Sequence, residues 1–145
     1  MPRSKTYLVD ANVWLALATE RHEHHAAARK WFALLSEEEA AFCRITQMTL
    51  LRLLTSKGVM DEEVLNPREA WELYRKLRRD WRVTFSAEPA GLEGLWFELM
   101  SHPNAGTSWT DAYLAAFALG QAFVLASFDR GFSRWTRLVL LLLTP

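Results

Sequence analysis

The segment Thr6-Tyr7-Leu8-Val9-Asp10-Ala11-Asn12 goes from a short apolar run to a carboxylate, then straight into a helix-like run. A charge directly after Leu8-Val9, at the end of a central strand, is costly unless it is paired or metal-bound. The same arrangement returns near the C-terminus, where Phe123-Val124-Leu125-Ala126 leads through Ser127-Phe128 to Asp129. A third carboxylate, Asp111, falls in the first turn of a helix within Thr107-Ser108-Trp109-Thr110-Asp111-Ala112-Tyr113. Strand C-termini and helix N-termini share one edge of a parallel α/β sheet, and ligands bind there. Asp10, Asp111 and Asp129 are therefore expected to meet around a divalent metal.

The rest of the chain fits that architecture. Strands are expected at Tyr7-Leu8-Val9, Ala41-Phe42-Cys43, Arg82-Val83-Thr84-Phe85, Phe123 to Ala126 and Val139 to Leu142. The run Leu138 to Leu143 suits a fully buried strand and is far too short for the roughly 20 residues of a membrane span. Asn12 can cap a helix over 13–18, and Thr46 one that stops at Lys57-Gly58. Ala27, Trp31, Leu34 and Leu35 recur on one helical face. Asn66-Pro67-Arg68-Glu69 has a cap, a first-position proline and a reciprocal Glu, which starts a helix with Ala70, Leu73, Tyr74 and Leu77 inward. Leu92, Leu95, Trp96 and Leu99 mark another helix. Ser108 and Asp111 have capping-box spacing, and Gly120 can close that last helix. Alternating strands and helices predict an α/β fold with a mostly parallel sheet covered on both faces. At 145 residues with no linker or repeat, 1–145 is expected to be a single domain.

Composition narrows the partners. Zero formal net charge, from 17 basic and 17 acidic residues, is unlike a dedicated duplex-DNA binder. A single cysteine, Cys43, excludes an intramolecular disulfide and a cysteine zinc site, and its apolar surroundings suit a buried small side chain. No secretory signal is visible, so the expected compartment is the cytoplasm.

Carboxylates are hard oxygen ligands suited to Mg²⁺ or Mn²⁺. A bound cation relieves their mutual repulsion and can activate water against a phosphodiester. Metal-assisted phosphodiester hydrolysis is the reaction class these residues point to. Asn12 could orient a carboxylate or a water, besides its role as a cap. Ser108 is a cap first and a phosphate or water contact second.

Leu8-Val9-Asp10-Ala11-Asn12-Val13, Thr110-Asp111-Ala112-Tyr113-Leu114-Ala115-Ala116 and Leu125-Ala126-Ser127-Phe128-Asp129-Arg130-Gly131-Phe132 resemble the three signature stretches of a PIN domain. More narrowly, the chain resembles VapC, the toxin half of VapBC toxin–antitoxin pairs. The segments Leu50-Leu51-Arg52-Leu53-Leu54-Thr55-Ser56 and Asn66-Pro67-Arg68-Glu69-Ala70-Trp71 are similar to one VapC subgroup. The resemblance spans essentially the whole chain. It implies a Rossmann-like three-layer α/β/α sandwich, Mg²⁺- or Mn²⁺-dependent RNA cleavage, a cognate VapB-type antitoxin and a homodimer. By motif, Asp10 and Asp111 would be the principal metal ligands, with Asp129 the third acidic member.

One position departs from the pattern. Many PIN domains carry a Glu on the helix after the second strand; here that helix has no acidic residue, and Arg52 stands about where the Glu would fall. Arg52 could contact substrate phosphate or cover the core. Glu20 or Glu23 could substitute from the loop after the first helix. The missing Glu also leaves open a degraded site serving as an RNA-binding or protein-interaction module. A haloacid-dehalogenase-type phosphotransferase would want an Asp where this chain has Asn12.

Further groups invite function. His22, His24 and His25 form a cluster, for which a solvated helix start is the default and RNA contact an alternative. Arg75, Lys76, Arg78, Arg79 and Arg82 suit a solvated helix face. Arg130, Arg134 and Arg137 follow Asp129 and are better placed for phosphate contacts. Trp109 and Trp135 could stack on unpaired bases or pack in the core.

Overall fold

The computed structural model describes residues 5–145. Five parallel strands, β1 (Tyr7–Val9), β2 (Ala40–Phe42), β3 (Val83–Phe85), β4 (Val124–Ser127) and β5 (Leu140–Leu142), form one sheet in the order β3-β2-β1-β4-β5. Leu8 pairs in register with Ala41 on one side and Leu125 on the other. The chain leaves β1 toward β2, then returns to place β4 on its opposite flank. The switch point of the strand order therefore lies between the C-terminal ends of β1 and β4.

Alternation along β1 assigns its side chains to two cores. Val9 packs with Trp14, Phe32, Phe42, Leu50 and Tyr74 on one face. Leu8 packs with Leu114, Phe117, Leu125, Phe132 and Trp135 on the other. Both residues are fully buried, as a central parallel strand requires. Helices α1 (Ala11–Ala18), α2 (His25–Phe32), α3 (Arg44–Leu54) and α5 (Pro67–Arg78) supply the first layer; α6 (Leu92–Met100) and α7 (Trp109–Gln121) supply the second. Trp14 lies flat on Phe42 with ring centroids 3.9 Å apart, joining α1 to β2. The result is the expected three-layer α/β/α sandwich.

Several local expectations need correction. The cap of α1 is Asp10, whose Oδ1 accepts from the Ala11 amide at 2.8 Å, so Asn12 already lies in the first turn. Helix α3 starts after Cys43, and Thr46 serves it from the third position by accepting from the Cys43 amide. It ends at Leu54, and the short α4 (Lys57–Met60) begins where a stop at Lys57-Gly58 was expected. On α2, Leu34 falls beyond the helix end and is exposed, while Leu35 is buried. Strand β2 ends at Phe42, one residue before Cys43. Strand β5 is a half-buried edge rather than a fully buried strand, because no strand among the described residues pairs beyond it.

The last helix shows why a glycine need not be a stop. Helix α7 runs on through Gln121 and closes at Ala122 in the left-handed region, at φ 58°. At Gly120 an added Cβ would sit 2.8 Å from Pro89 Cγ, so this glycine permits close packing instead.

The start of α5 matches expectation. Asn66 Oδ1 accepts from the Glu69 amide at 2.8 Å, and Glu69 Oε1 accepts from the Asn66 amide at 3.0 Å. Asn66→Ala is expected to lower stability by about 1 kcal/mol in urea unfolding, with an unchanged m-value.

Candidate active site

Parallel pairing brings Asp10, at the exit of β1, beside the exit of β4. The Asp10 amide donates to Ala126 O at 2.9 Å, extending the ladder by one residue. Ser127, fully buried at the end of β4, donates from its hydroxyl to Asp10 Oδ2 at 2.7 Å. The same hydroxyl accepts from the Asp129 amide at 2.9 Å, and from Asn12 Nδ2 at 3.4 Å. One serine thus ties two carboxylate-bearing segments together. Sequence reasoning gave Ser127 no role. The available signal was a hydroxyl placed between an apolar strand and Asp129, where a buried polar group must find partners.

Asp111 comes from the first turn of α7. Asp10 and Asp111 line one pocket of about 550 Å³, together with Thr46, Thr49 and Arg52 from α3 and Thr110 from α7. Asp129 caps the 3-10 turn over Arg130–Arg134, accepting from the Gly131 amide at 2.7 Å, and it does not line this pocket. Its charge still reaches the other two. Burial pushes Asp10 up to about 6, and the charges of Asp111 and Asp129 act in the same direction, against the bonds from Ser127 and Ala11. Asp111 is raised by burial and then by Asp129, and is lowered by Arg134. Carboxylates that raise one another in this way form a site of concentrated negative charge.

The donor chemistry suits a hard divalent cation. Among the described residues, no three His, Cys, Asp or Glu side chains form a ready-made metal cage. An ion held mainly by Asp10 and Asp111 would keep several waters, which is how Mg²⁺ commonly binds.

Other candidates are placed as follows. Ser108 occupies the N-cap position of α7 but makes no cap bond; its hydroxyl accepts from Arg134 Nη1 at 2.8 Å, so the expected capping box does not form. Arg134 also donates from Nε to Gly131 O at 2.6 Å and from Nη1 to Ala105 O at 3.3 Å. It clamps the loop before α7 to the turn after β4 through Nε and Nη1. Arg137 likewise pairs with Glu98 at 3.0 Å. Arg130 is exposed and makes no ion pair among the described residues. Arg52 is exposed on the pocket wall, so it does not cover the core.

Glu20 and Glu23 do not line the pocket, and Glu23 pairs instead with His24 at 3.5 Å. The three histidines make local contacts. The His25 ring bonds Ala16 O at 2.7 Å, His22 Nδ1 accepts from the His24 amide, and the His24 ring stacks on Phe128. Arg82 is committed to Asp80 through paired bonds of 2.9 and 2.8 Å, and Arg78 donates to the Tyr74 hydroxyl. Trp135 is buried and cannot stack on a base, whereas Trp109 is 59% exposed. Cys43 is buried, which pushes its thiol up. No helix among the described residues is long and apolar enough to cross a membrane.

Arg134→Ala removes three charge-assisted bonds and the cation that tempers Asp111. We expect a loss of about 1.5–3 kcal/mol in denaturant unfolding, with the Asp111 carboxyl moving further up in an NMR titration.

A parallel α/β/α sandwich with carboxylates gathered at its switch point defines a class, and the PIN domain family model matches residues 7–138. The chain belongs to the PIN domain family. Among particular relatives, it is 43% identical over 143 residues to ribonuclease VapC41 of Mycobacterium tuberculosis, covering 94% of this chain and 97% of that protein. Ribonuclease VapC29 of the same organism is 33% identical over 131 residues, 87% of each chain. Among solved structures, the DNA-bound VapBC of Salmonella typhimurium superposes with a TM-score of 0.71 at 15% identity, over 95% of this chain and 98% of that one. Mycobacterium tuberculosis VapC20, a Sarcin-Ricin loop cleaving toxin, gives 0.67 at 21% identity, over 88% and 93%.

Proposed function

We propose that this chain is an endoribonuclease of the VapC type, the toxin of a type II toxin–antitoxin pair, working with Mg²⁺ or Mn²⁺. The observation that carries the reading is the pocket shared by Asp10 and Asp111 at the switch point of a PIN-domain sheet. The identity to ribonuclease VapC41 over nearly the full length of both chains supports the ribonuclease activity. The VapBC complexes among the structural relatives support an antitoxin partner.

Asp10 and Asp111 would hold the cation, with Asp129 completing the acidic surround. When bound, the ion supplies charge that activates water and offsets negative charge on a phosphoryl oxygen. The protein's own groups prepare the ground. Ser127 fixes one oxygen of Asp10 and the Ala11 amide fixes the other, so that carboxylate enters with its orientation set. Arg134 limits the repulsion between Asp111 and Asp129. Arg52 and Arg130 supply cations for the RNA backbone, and Asn12 and Ser108 support the site from behind through Ser127 and Arg134. A homodimer would set two such pockets in one particle.

The purified chain should cleave total RNA in Mg²⁺ or Mn²⁺ and stop when EDTA is added. Unabated cleavage in EDTA would remove the metal from this account, and no cleavage under any divalent ion would remove the ribonuclease.

A further inference from the structure

A second recess lies against the acidic pocket, and the two share Ile45 and Thr110. It has a volume of about 460 Å³. Helix geometry explains the division. Residues 111 and 114 of α7 line the acidic pocket, 109 and 113, four apart, line the neighbouring recess, and 110 lies between the two. Its walls are aromatic. Trp96 stands perpendicular to Trp109 at 6.2 Å and to Tyr113 at 5.4 Å. Trp96 is held in place by a bond from Nε1 to Trp109 O at 2.9 Å.

The polar groups of the recess are sparse and directional. Glu88 is the one carboxylate in its lining, and the Tyr113 hydroxyl donates to Glu88 Oε1 at 2.8 Å. That bond fixes the carboxylate, and it leaves Oε2 and the second lone pair of Oε1 to accept. Arg44 brings a cation to the same recess. Flat aromatic walls, a fixed acceptor and a nearby cation match an unpaired nucleobase and its phosphate. Among the four RNA bases, guanine alone presents two adjacent donors, N1–H and the N2 amine, on its pairing edge. Cytosine and adenine set an acceptor beside their amine, and uracil flanks its one donor with carbonyls. A carboxylate therefore favours guanine.

We propose that the Trp96–Trp109–Tyr113 recess is a base-binding subsite that takes an unpaired guanine of the RNA next to the cleaved phosphate, with Glu88 reading its pairing edge. This rests on the reading of the acidic pocket as the RNA-cleaving site.

The test is an NMR titration of the ¹⁵N-labelled full chain in Mg²⁺ with 5′-GMP, AMP, CMP and UMP, none of which has a phosphodiester to cut. GMP should shift the Trp109 and Trp96 indole signals and bind about tenfold more tightly than the other three. Glu88→Gln should erase that difference, and Trp109→Ala should weaken all four by roughly five- to a hundredfold. Both positions are exposed, so the variants should fold.

Absence of indole shifts at millimolar nucleotide would overturn the subsite. Equal binding of all four nucleotides, unchanged by Glu88→Gln, would overturn the guanine assignment. If Trp109→Ala turns a dimer into a monomer in sedimentation velocity while nucleotides leave the wild type untouched, the recess is a contact between copies and the proposal fails. RNA cleavage by the wild type is scored separately. Its absence would count against the nuclease alone, because nucleotide binding still decides the recess.

Discussion

Asp10→Asn and Asp111→Asn are each expected to reduce metal-dependent RNA cleavage by at least about a hundredfold, the scale seen when one preorganised charge-stabilising group is lost. Both carboxylates line the same pocket, and neither has a substitute there, since Glu20 and Glu23 lie elsewhere and α3 contributes Arg52. Asn keeps the shape and one acceptor oxygen but removes the charge that attracts a cation. Asp129→Asn should cost less, roughly tenfold, as for groups that act behind the ligands. Its Oδ1 is engaged with the Gly131 amide and it stands outside the pocket lining. Single-turnover cleavage of a labelled RNA, with circular dichroism to confirm folding, measures all three. Near-wild-type rates in the Asp10 and Asp111 variants would detach the chemistry from this pocket.

In EDTA, the wild type should lose stability relative to Asp10→Asn as the pH rises from about 4 to 7. The sign follows from the direction of the shift. Burial, reinforced by Asp111 and Asp129, raises Asp10 from 3.8 to about 6, so the folded chain holds this proton more tightly than the unfolded chain does. The stability contributed by the group is fully present below 3.8 and is lost as the pH passes 6. The difference is about 3 kcal/mol. Asp111 is raised as well, mainly by burial, and Asp80 runs the opposite way because Arg82 lowers it. The informative quantity is therefore the gap between wild type and variant in urea unfolding at each pH. Excess Mg²⁺ should reverse that gap at pH 7, because an ion that binds only the folded wild type stabilises it by mass action. Parallel curves for the two proteins from pH 4 to 8, with and without Mg²⁺, would show that Asp10 holds no buried charge.

Local chemistry made much of the site legible. Asp10 and Asp129 after apolar runs, and Asp111 in a first turn, are visible as residue order. The Asn66-Pro67-Arg68-Glu69 start is equally local, and it forms as read. Expectations failed where a distant partner outbid a local one. Ser108 has the spacing of a cap, but Arg134, 26 residues away, takes its hydroxyl. Gly120 has the character of a stop, but Pro89 occupies the space beside it. The basic residues after Asp129 look alike in sequence, but Arg134 is tied to Gly131 and Arg137 pairs with Glu98 at the surface, partners that lie elsewhere in the chain or fold.

Order along the chain determined that strands end in carboxylates and that both faces of the sheet are covered, because those follow from apolar periodicity and the cost of burying charge. Only the tertiary structure decided that β4, rather than β3 or β5, lies beside β1. That choice puts the Ser127 hydroxyl on Asp10, in whose pocket Asp111 also stands. Strand neighbours are selected by the packing of helices contributed from the whole chain, and no local window contains that information.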